Sequence, residues 1–215
     1  MVIEVKNVSK KFKNVEVLSN INITFEEGKV YGLIGRNGSG KSVFLKMLCA
    51  FYKPTDGEIL FDGVNVIKNN EYPPSTRALI EKPGFLPELT GFQNLKVLAD
   101  IQKTITDEQI LETCEKLNIG KDINKKYRNY SLGTKQKLGI AQVLMENPKV
   151  IILDEPLNGI ENATAIKIRD ILKEEKKNKK IIIIASHIKE DIEKLADIIY
   201  EFDGGQITKI KKSKS

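Results

Sequence analysis

The sequence is poor in the residues that build disulfide frameworks and soft-metal sites. It contains two cysteines, Cys49 and Cys114, and a single histidine, His187. Both cysteines fall in segments with a helical apolar pattern and lack the close spacing of metal ligands, so we expect buried thiols in a reducing compartment. The chemistry of the protein is therefore expected to rest on other side chains.

Long hydrophobic runs are also missing. No apolar stretch approaches the roughly 20 residues that a helix needs to cross a bilayer. The N-terminus carries Glu4, Lys6 and Lys10, which is unlike a secretory signal. A chain of 215 residues with 40% hydrophobic and 30% charged residues is expected to form one large soluble domain, alone or with an inserted subdomain. If it works at a membrane, we expect it at the surface.

The positive charge is not patterned for nucleic acid. The net charge is +6, but the lysines are scattered and aromatic residues make up 7% of the chain without interleaving with them. We interpret this charge as solvated surface and expect no nucleic-acid partner.

The most informative stretch runs from Lys29 to Ala50. An apolar strand pattern (Val30 to Ile34) leads into Gly-Arg-Asn-Gly-Ser-Gly-Lys-Ser, and a helical pattern follows. This matches G-x-x-x-x-G-K-[ST], a loop whose glycines let successive backbone N–H groups turn toward a phosphate. The residues predicted to bind phosphate are Gly35, Arg36, Asn37, Gly38, Ser39, Gly40, Lys41 and Ser42.

Within this loop two side chains have specific tasks. Lys41 is expected to reach the β- and γ-phosphates, and the Ser42 hydroxyl to ligate Mg²⁺. The helix that follows adds unpaired N–H donors and a partial positive charge at its N-terminus.

The remaining pattern predicts an α/β fold. Antiparallel strands precede the loop, a mostly parallel sheet forms the core, and three helices between Pro83 and Met145 suggest an inserted all-helical subdomain. We predict a single domain over residues 1–215, with the helical subdomain at about 83–147. Thr90 with Gln93, and Thr106 ahead of the next segment, are helix-start signals. The close is predicted as a helix from Lys189 to Ala196, a hairpin around residues 203–205 and a tail from Lys209 to Ser215.

Polar residues follow two buried strand patterns. Asp154 and Glu155 end the run Val150 to Leu153, and His187 follows the run Ile181 to Ala185. Ligands bind at the carboxyl ends of strands in open α/β sheets, so one acid can hold the Mg²⁺ shell while the other orients or deprotonates an attacking water. Upstream of the loop, Phe12 is either an adenine-stacking aromatic or simply part of the core.

The segment Tyr130-Ser131-Leu132-Gly133-Thr134-Lys135-Gln136 resembles the signature motif of ATP-binding cassette (ABC) proteins, L-S-G-G-Q followed by a basic helix. With it, the whole chain is similar to one ABC nucleotide-binding domain, because five motifs occur in the order and spacing of the family. The resemblance implies a P-loop ATPase that uses ATP and Mg²⁺. It also implies pairing, head to tail, with a second such domain, either another copy or a related subunit.

The same resemblance assigns roles to individual residues. Phe12 falls at the position that stacks on adenine, and Asp154 and Glu155 end Walker B with Glu155 as the catalytic carboxylate. His187 matches the switch histidine near the γ-phosphate. Ser131 and Gly133 of one copy would close over ATP held by the other. The D-loop corresponds to residues 158–161.

One departure from the family concerns Glu81, which stands where most members have a glutamine in the Mg²⁺ shell. A carboxylate can also ligate Mg²⁺, although the acid alternatively lies free in solvent at the strand end. Glu81, the Pro-Gly-Phe beginning at Pro83 and the Ser-Leu-Gly form of the signature resemble the subgroup that exports bacitracin or lantibiotic peptides.

We therefore expect an ATPase subunit that powers export through a separate membrane-spanning permease, bound peripherally at the cytoplasmic face of the cell membrane. The segment from Pro83 to Leu98, with Phe85, Leu86, Leu89 and Phe92, is the predicted contact for that permease, unless these residues form subdomain core. The alternative functions are a soluble ABC ATPase acting on nucleic acid or the ribosome, and a nucleotide-gated binding module.

Overall fold

The computed structural model describes residues 1–81 and 83–212. The strands within these residues are β1 (Val2–Phe12), β2 (Val15–Glu26), β3 (Lys29–Ile34), β4 (Asp56–Phe61), β5 (Thr76–Leu79), β6 (Val150–Asp154), β7 (Ile181–Ser186), β8 (Ile198–Asp203) and β9 (Gln206–Lys212). The α-helices are α1 (Lys41–Leu48), α2 (Gly91–Gln102), α3 (Asp107–Lys116), α4 (Leu132–Leu144), α5 (Asn162–Lys177) and α6 (Lys189–Glu193). Two short 3-10 helices, Gly120–Asp122 and Tyr127–Asn129, lie between α3 and α4.

The central sheet has the strand order β5-β6-β7-β3-β8-β9. Its first five strands are parallel, and β9 pairs antiparallel with β8. A second sheet, in the order β2-β1-β4, is antiparallel throughout. The predicted fold class, a mostly parallel α/β core with an antiparallel β unit, is therefore confirmed.

The parallel strands are buried on both faces. Alternate residues of β6 go to two different cores: Val150 and Ile152 pack with α1 and the antiparallel sheet, whereas Ile151 and Leu153 pack with the other helices. A strand sandwiched in this way needs apolar side chains at every position, which explains the unbroken aliphatic runs of β6 and β7.

Helices α2, α3 and α4 form the insertion between β5 and β6. Both predicted start signals are confirmed, because Thr90 and Thr106 each exchange hydrogen bonds with the glutamine three residues later. Helix α4 begins at Leu132, whereas the sequence pattern predicts a start at about Thr134, and Ser131 caps the helix by accepting a hydrogen bond from the Thr134 N–H. These caps fix where each helix begins.

Two predictions at the C-terminal end were wrong. Lys209, Lys211 and Lys212 belong to β9, where cross-strand pairing with β8 extends the hairpin to Lys212; Lys214, the other lysine of the predicted tail, lies outside the described residues. Helix α6 ends at Glu193, although the pattern predicted it to run to Ala196.

In residues 1–81 and 83–212, no helix is both long enough and apolar enough to span a membrane.

Candidate active site

Three neighbouring parallel strands bring the predicted site residues to one edge of the sheet. Strand β7 lies between β6 and β3, and its last residue, Ser186, pairs with Ile34 just before the glycine-rich loop. On the other side of β7, Asp154 pairs with Ala185. Because parallel strands end at the same edge, the loop, the two acids and His187 all gather there.

The loop between β3 and α1 depends on its glycines. Gly35, Gly38 and Gly40 all have positive φ, of 153°, 80° and 101°. A Cβ at Gly35 would also lie 2.2 Å from the carbonyl oxygen of Phe202. Other residues would be strained or obstructed here, so the loop can wrap an anion only with glycine at these positions.

Lys41, the first residue of α1, turns its side chain back into the loop. Its Nζ donates to the carbonyl oxygens of Gly35 at 2.7 Å and Arg36 at 3.1 Å. Burial lowers the pKa of Lys41, while the nearby Glu155 and Asp154 act in the opposite direction. The ammonium group therefore occupies the centre of the cradle, where a phosphate is the natural counter-charge.

Ser42 and Asp154 meet beside the loop. The Ser42 Oγ donates to Asp154 Oδ2 at 2.7 Å. Burial raises the pKa of Asp154, and the charge of Glu155 raises it further, whereas the hydrogen bond from Ser42 lowers it. A serine hydroxyl and a carboxylate are hard oxygen donors beside a phosphate cradle, and such a donor set fits Mg²⁺.

Glu155 is held by the residues that end β7. Its Oε1 accepts hydrogen bonds from the backbone N–H of His187 at 2.8 Å and lies 2.7 Å from His187 Nδ1. Its Oε2 accepts a hydrogen bond from the Ser186 hydroxyl at 3.1 Å. The backbone of Glu155 has a positive φ of 49°, which turns the side chain toward this partner set. The acid and the histidine thus form one contiguous pair.

Glu81 lies at the cavity wall but is paired with a lysine. Its Oε1 is 2.5 Å from the Nζ of Lys46 on α1, and this ion pair raises the pKa of Lys46. The Glu81 side chain is 65% exposed. The acid is therefore exposed but paired, and an ion pair open to solvent in this way costs little to break.

A cavity of about 820 Å³ joins most of the predicted residues. Those that line it are Asn37, Gly38, Ser39, Gly40, Lys41, Ser42, Glu81, Asp154 and Glu155. A second cavity of about 420 Å³ is lined by Gly35, Arg36 and His187 together with neighbouring residues. The two spaces adjoin at Asn37, which lines both.

In the described part of the chain, three predicted residues lie outside both cavities: Phe12, Ser131 and Gly133. Phe12 is 38% exposed and packs edge-on against Tyr52, with ring centroids 5.2 Å apart. Lys10 Nζ sits 4.8 Å from the Phe12 ring centroid. Ser131 is exposed and Gly133 is half-buried at the start of α4. Phe12 is thus half-open, neither buried core nor part of the cavity.

Of the remaining lining residues, sequence reasoning missed Val17 and Val43, and it gave no place in the cavity to Leu132 and Gln136 of the signature segment or to Asn158 of the D-loop. It also missed Ser186 and Lys46, the partners of Glu155 and Glu81. Ser186 could have been found from its position at the end of a buried strand beside His187. The Lys46 and Gln136 contacts join distant segments, and the local pattern carries no signal for them.

A phosphate cradle between a central parallel strand and a helix, with a strand-end aspartate bonded to the loop serine, defines a P-loop nucleoside triphosphatase. The profile of the ABC transporter family matches residues 18–158. The chain therefore belongs to the ABC transporter family, within its ATPase class.

Three relatives show the same family over nearly the whole chain. The ABC transporter ATP-binding protein YybJ of Bacillus subtilis is 41% identical over 98% of this chain and 96% of its own length. The bacitracin transport ATP-binding protein BcrA of Enterococcus faecalis is 38% identical over 92% of this chain and 65% of its own length. The lantibiotic transport ATP-binding protein SrtF of Streptococcus pyogenes is 34% identical over 92% of this chain and 85% of its own length.

Solved structures show the same fold. A dimeric structure of a bacterial ABC transporter cassette superposes with a TM-score of 0.90, covers 99% of both chains and is 24% identical in sequence.

Proposed function

We propose that this chain binds and hydrolyses ATP to power export through a separate membrane permease. The observation that carries the proposal is the convergence of Lys41, the Ser42–Asp154 pair and Glu155 on one cavity of an ABC cassette. A phosphate cradle, a place for a hard cation and a carboxylate positioned beside both are the parts that hydrolysis of a nucleoside triphosphate needs.

The phosphates are bound by residues 35–42. The loop's backbone N–H groups and the N-terminus of α1 provide donors. When phosphate binds, Lys41 Nζ gives up its hydrogen bonds to the carbonyl oxygens of Gly35 and Arg36 and donates to phosphate oxygens instead. Ser42, Asp154 and Glu81 hold the Mg²⁺, which when bound offsets the negative charge of the triphosphate. Phe12 supports the adenine from the rim of the antiparallel sheet.

Glu155 orients and deprotonates the attacking water. Its two oxygens are engaged by Ser186 and His187, so the acid is kept at the end of β6. To act as the base, Glu155 would turn one oxygen toward the cavity that it lines, while His187 keeps its contact with the other.

A second ATP-binding domain completes each site. Ser131 and the first N–H groups of α4 lie at an exposed helix start, which suits the γ-phosphate of nucleotide bound to another copy or a related subunit. The dimeric cassette that shares this fold supports this arrangement. We propose one cassette over residues 1–215, in which the helical subdomain at about 83–147 carries this helix.

The exported substrate is proposed to be an antimicrobial peptide. The support is the Glu81 and Ser-Leu-Gly pattern together with relatives named for bacitracin and lantibiotic transport. The chain then works at the cytoplasmic face of the cell membrane, held there by its permease. Relatives named as transport proteins disfavour the alternative of a soluble ATPase acting on nucleic acid or ribosomes.

The proposal is tested with Glu155→Gln. The amide keeps the size of the side chain but cannot act as a base, so ATP binding should persist while turnover falls by about 100-fold or more. In ATP and Mg²⁺, light scattering after size-exclusion chromatography should then show a stable dimer. The matched control is Glu201→Gln, which changes an acid bordering the second cavity. Hydrolysis at the wild-type rate in Glu155→Gln would overturn the role of this acid.

A further inference from the structure

The start of α4 rests on the backbone of the catalytic segment in the same chain. Gln136 Nε2 donates to the carbonyl oxygen of Glu155 at 3.2 Å and to that of Pro156 at 3.3 Å. Both partners are carbonyl acceptors, so the two N–H groups of one amide can serve them together. A single side chain of α4 thus holds the main chain of Glu155, the proposed general base.

A second contact lies one turn earlier. The Leu132 side chain, 64% exposed, packs over Gly159, and a Cβ at Gly159 would lie 2.8 Å from Leu132 Cδ2. Gly159 also has a positive φ of 72°. Gly159 therefore provides both the turn and the space that let Leu132 lie against it.

The neighbours of Gln136 point elsewhere. Lys135 Nζ lies 5.2 Å from the ring centroid of Tyr127, and Lys137 Nζ donates to the carbonyl oxygen of Asn118. Both contacts stay within the insertion between β5 and β6. Gln136, between them, crosses to the strand-end acid. The helix is therefore tied on two sides, to its own insertion and to the base of the catalytic carboxylate.

We propose that Gln136 is a positioning residue that links the two nucleotide sites of the dimer. The inference rests on the proposed function, in which the tip of α4 grips nucleotide held by the partner. The other side of the same helix holds Glu155, which acts on the nucleotide in its own cradle. When the tip of α4 binds the nucleotide held by the partner, a shift of the helix would move the backbone of Glu155. Nucleotide bound in the partner's cradle would therefore set the position of the general base at this chain's own cradle.

The linkage predicts cooperative hydrolysis that depends on the Gln136 amide. Wild-type protein should hydrolyse ATP with a Hill coefficient above about 1 and below about 2, the limit for two sites. Gln136→Met keeps the length of the side chain and removes both donors, so its Hill coefficient should fall to about 1, with a reduced kcat. Gln136→Lys restores an N–H donor that can reach the same carbonyls, and it should recover cooperativity in part.

Dimer formation separates this inference from the proposed function. Glu155→Gln and the double variant Glu155→Gln/Gln136→Met should both dimerise in ATP, because the cradle and the tip of α4 are unchanged. Failure of Glu155→Gln alone to dimerise would overturn the proposed dimer itself. Failure of the double variant alone would show that Gln136 has a structural role in α4 and would overturn the linkage.

A second variant, at an exposed position, tests the linkage with less risk of misfolding than a change at Gln136. Leu132→Ala removes the contact with Gly159 from an exposed position and should lower the Hill coefficient less than Gln136→Met does. Wild-type hydrolysis without cooperativity would contradict the proposal, as would equal Hill coefficients in wild type, Gln136→Met and Leu132→Ala.

Discussion

At the scale of single residues, the ion pair between Lys46 and Glu81 sets how available Glu81 is to a metal ion. The Glu81 side chain is 65% exposed and the Lys46 side chain 23%, and ion pairs open to solvent contribute about 0.2–1 kcal/mol. In the proposed site, Mg²⁺ would displace Lys46 from Glu81 at about that cost. Lys46→Met removes this competing ion pair, so it should lower the Mg²⁺ concentration for half-maximal ATPase activity. The expected decrease is about 1.5- to 5-fold, which is the ion pair's contribution of about 0.2–1 kcal/mol expressed as a ratio of concentrations.

The control for this prediction is Lys46→Arg, which keeps the positive charge and should leave the Mg²⁺ dependence close to wild type. If Glu81 is the ligand, the effect of Lys46→Met should also shrink in a Glu81→Ala background. An unchanged Mg²⁺ dependence in Lys46→Met would remove Glu81 from the metal shell.

The buried carboxylate of Asp154 lowers the stability of the nucleotide-free protein at neutral pH. Burial and the neighbouring Glu155 raise the pKa of Asp154 in the native state above its value in the unfolded chain. The native state then binds more protons between these two pKa values, so stability falls as pH rises through that window, and at pH 7 the charged carboxylate is destabilising. Asp154→Asn should therefore raise the Tm of the nucleotide-free protein at pH 7, by about 2–4 °C for each 1 kcal/mol regained.

The same variant should lose the extra stabilisation that Mg²⁺ and ATP give to wild type, since an amide is a poorer Mg²⁺ ligand. Differential scanning fluorimetry with and without Mg²⁺ and ATP measures both effects. Asp203→Asn, at an exposed acid, is the matched control and should leave the Tm near wild type. A lower Tm for nucleotide-free Asp154→Asn would contradict the argument.

At the scale of elements, helix caps decide where the inserted helices begin. Thr106 Oγ1 accepts from the Gln109 N–H at 3.4 Å, and Gln109 Oε1 accepts from the Thr106 N–H at 2.9 Å. Thr106→Ala should therefore lower the free energy of unfolding by about 1 kcal/mol, measured by urea denaturation. The exposed Thr104, just before the cap, provides the control, and Thr104→Ala should cost less than about 0.5 kcal/mol. Equal losses in the two variants would argue against the cap.

These local signals explain which elements the sequence could predict. Capping pairs, the glycine-rich loop and buried aliphatic runs each consist of residues close together in the sequence. The predicted positions of α2, α3, β3, β6 and β7 are therefore near the observed ones. Strand β9 was mistaken for a tail because Lys209, Lys211 and Lys212 look solvated until β8 pairs with them. The contacts of Lys46 with Glu81 and of Gln136 with Glu155 join residues far apart in sequence, and only the fold brings these together.

At the scale of the whole molecule, only part of the permease contact predicted from the sequence is exposed apolar surface. Phe85 packs edge-on against Tyr127 and, like Phe92, lies against the helical core. Leu86 remains exposed, and on α2 the side chains of Val97 and Ile101, one turn apart, are 50% and 72% exposed. The apolar surface on this part of the insertion therefore runs through Leu86 and the outer face of α2, which is where we expect the permease to bind.

A charged residue on that surface should separate hydrolysis from transport. Ile101→Glu adds a charge that would be desolvated at the interface, so we expect the chain to be lost from washed membranes of cells that also make the permease. The ATPase of the purified variant should stay within about two-fold of wild type, since a surface change of this kind alters stability by about 0.5 kcal/mol or less. Val15→Glu, at a 64% exposed valine of the antiparallel sheet, introduces the same charge elsewhere and should leave membrane association intact. Equal retention of both variants on membranes would place the permease contact on another face of the cassette.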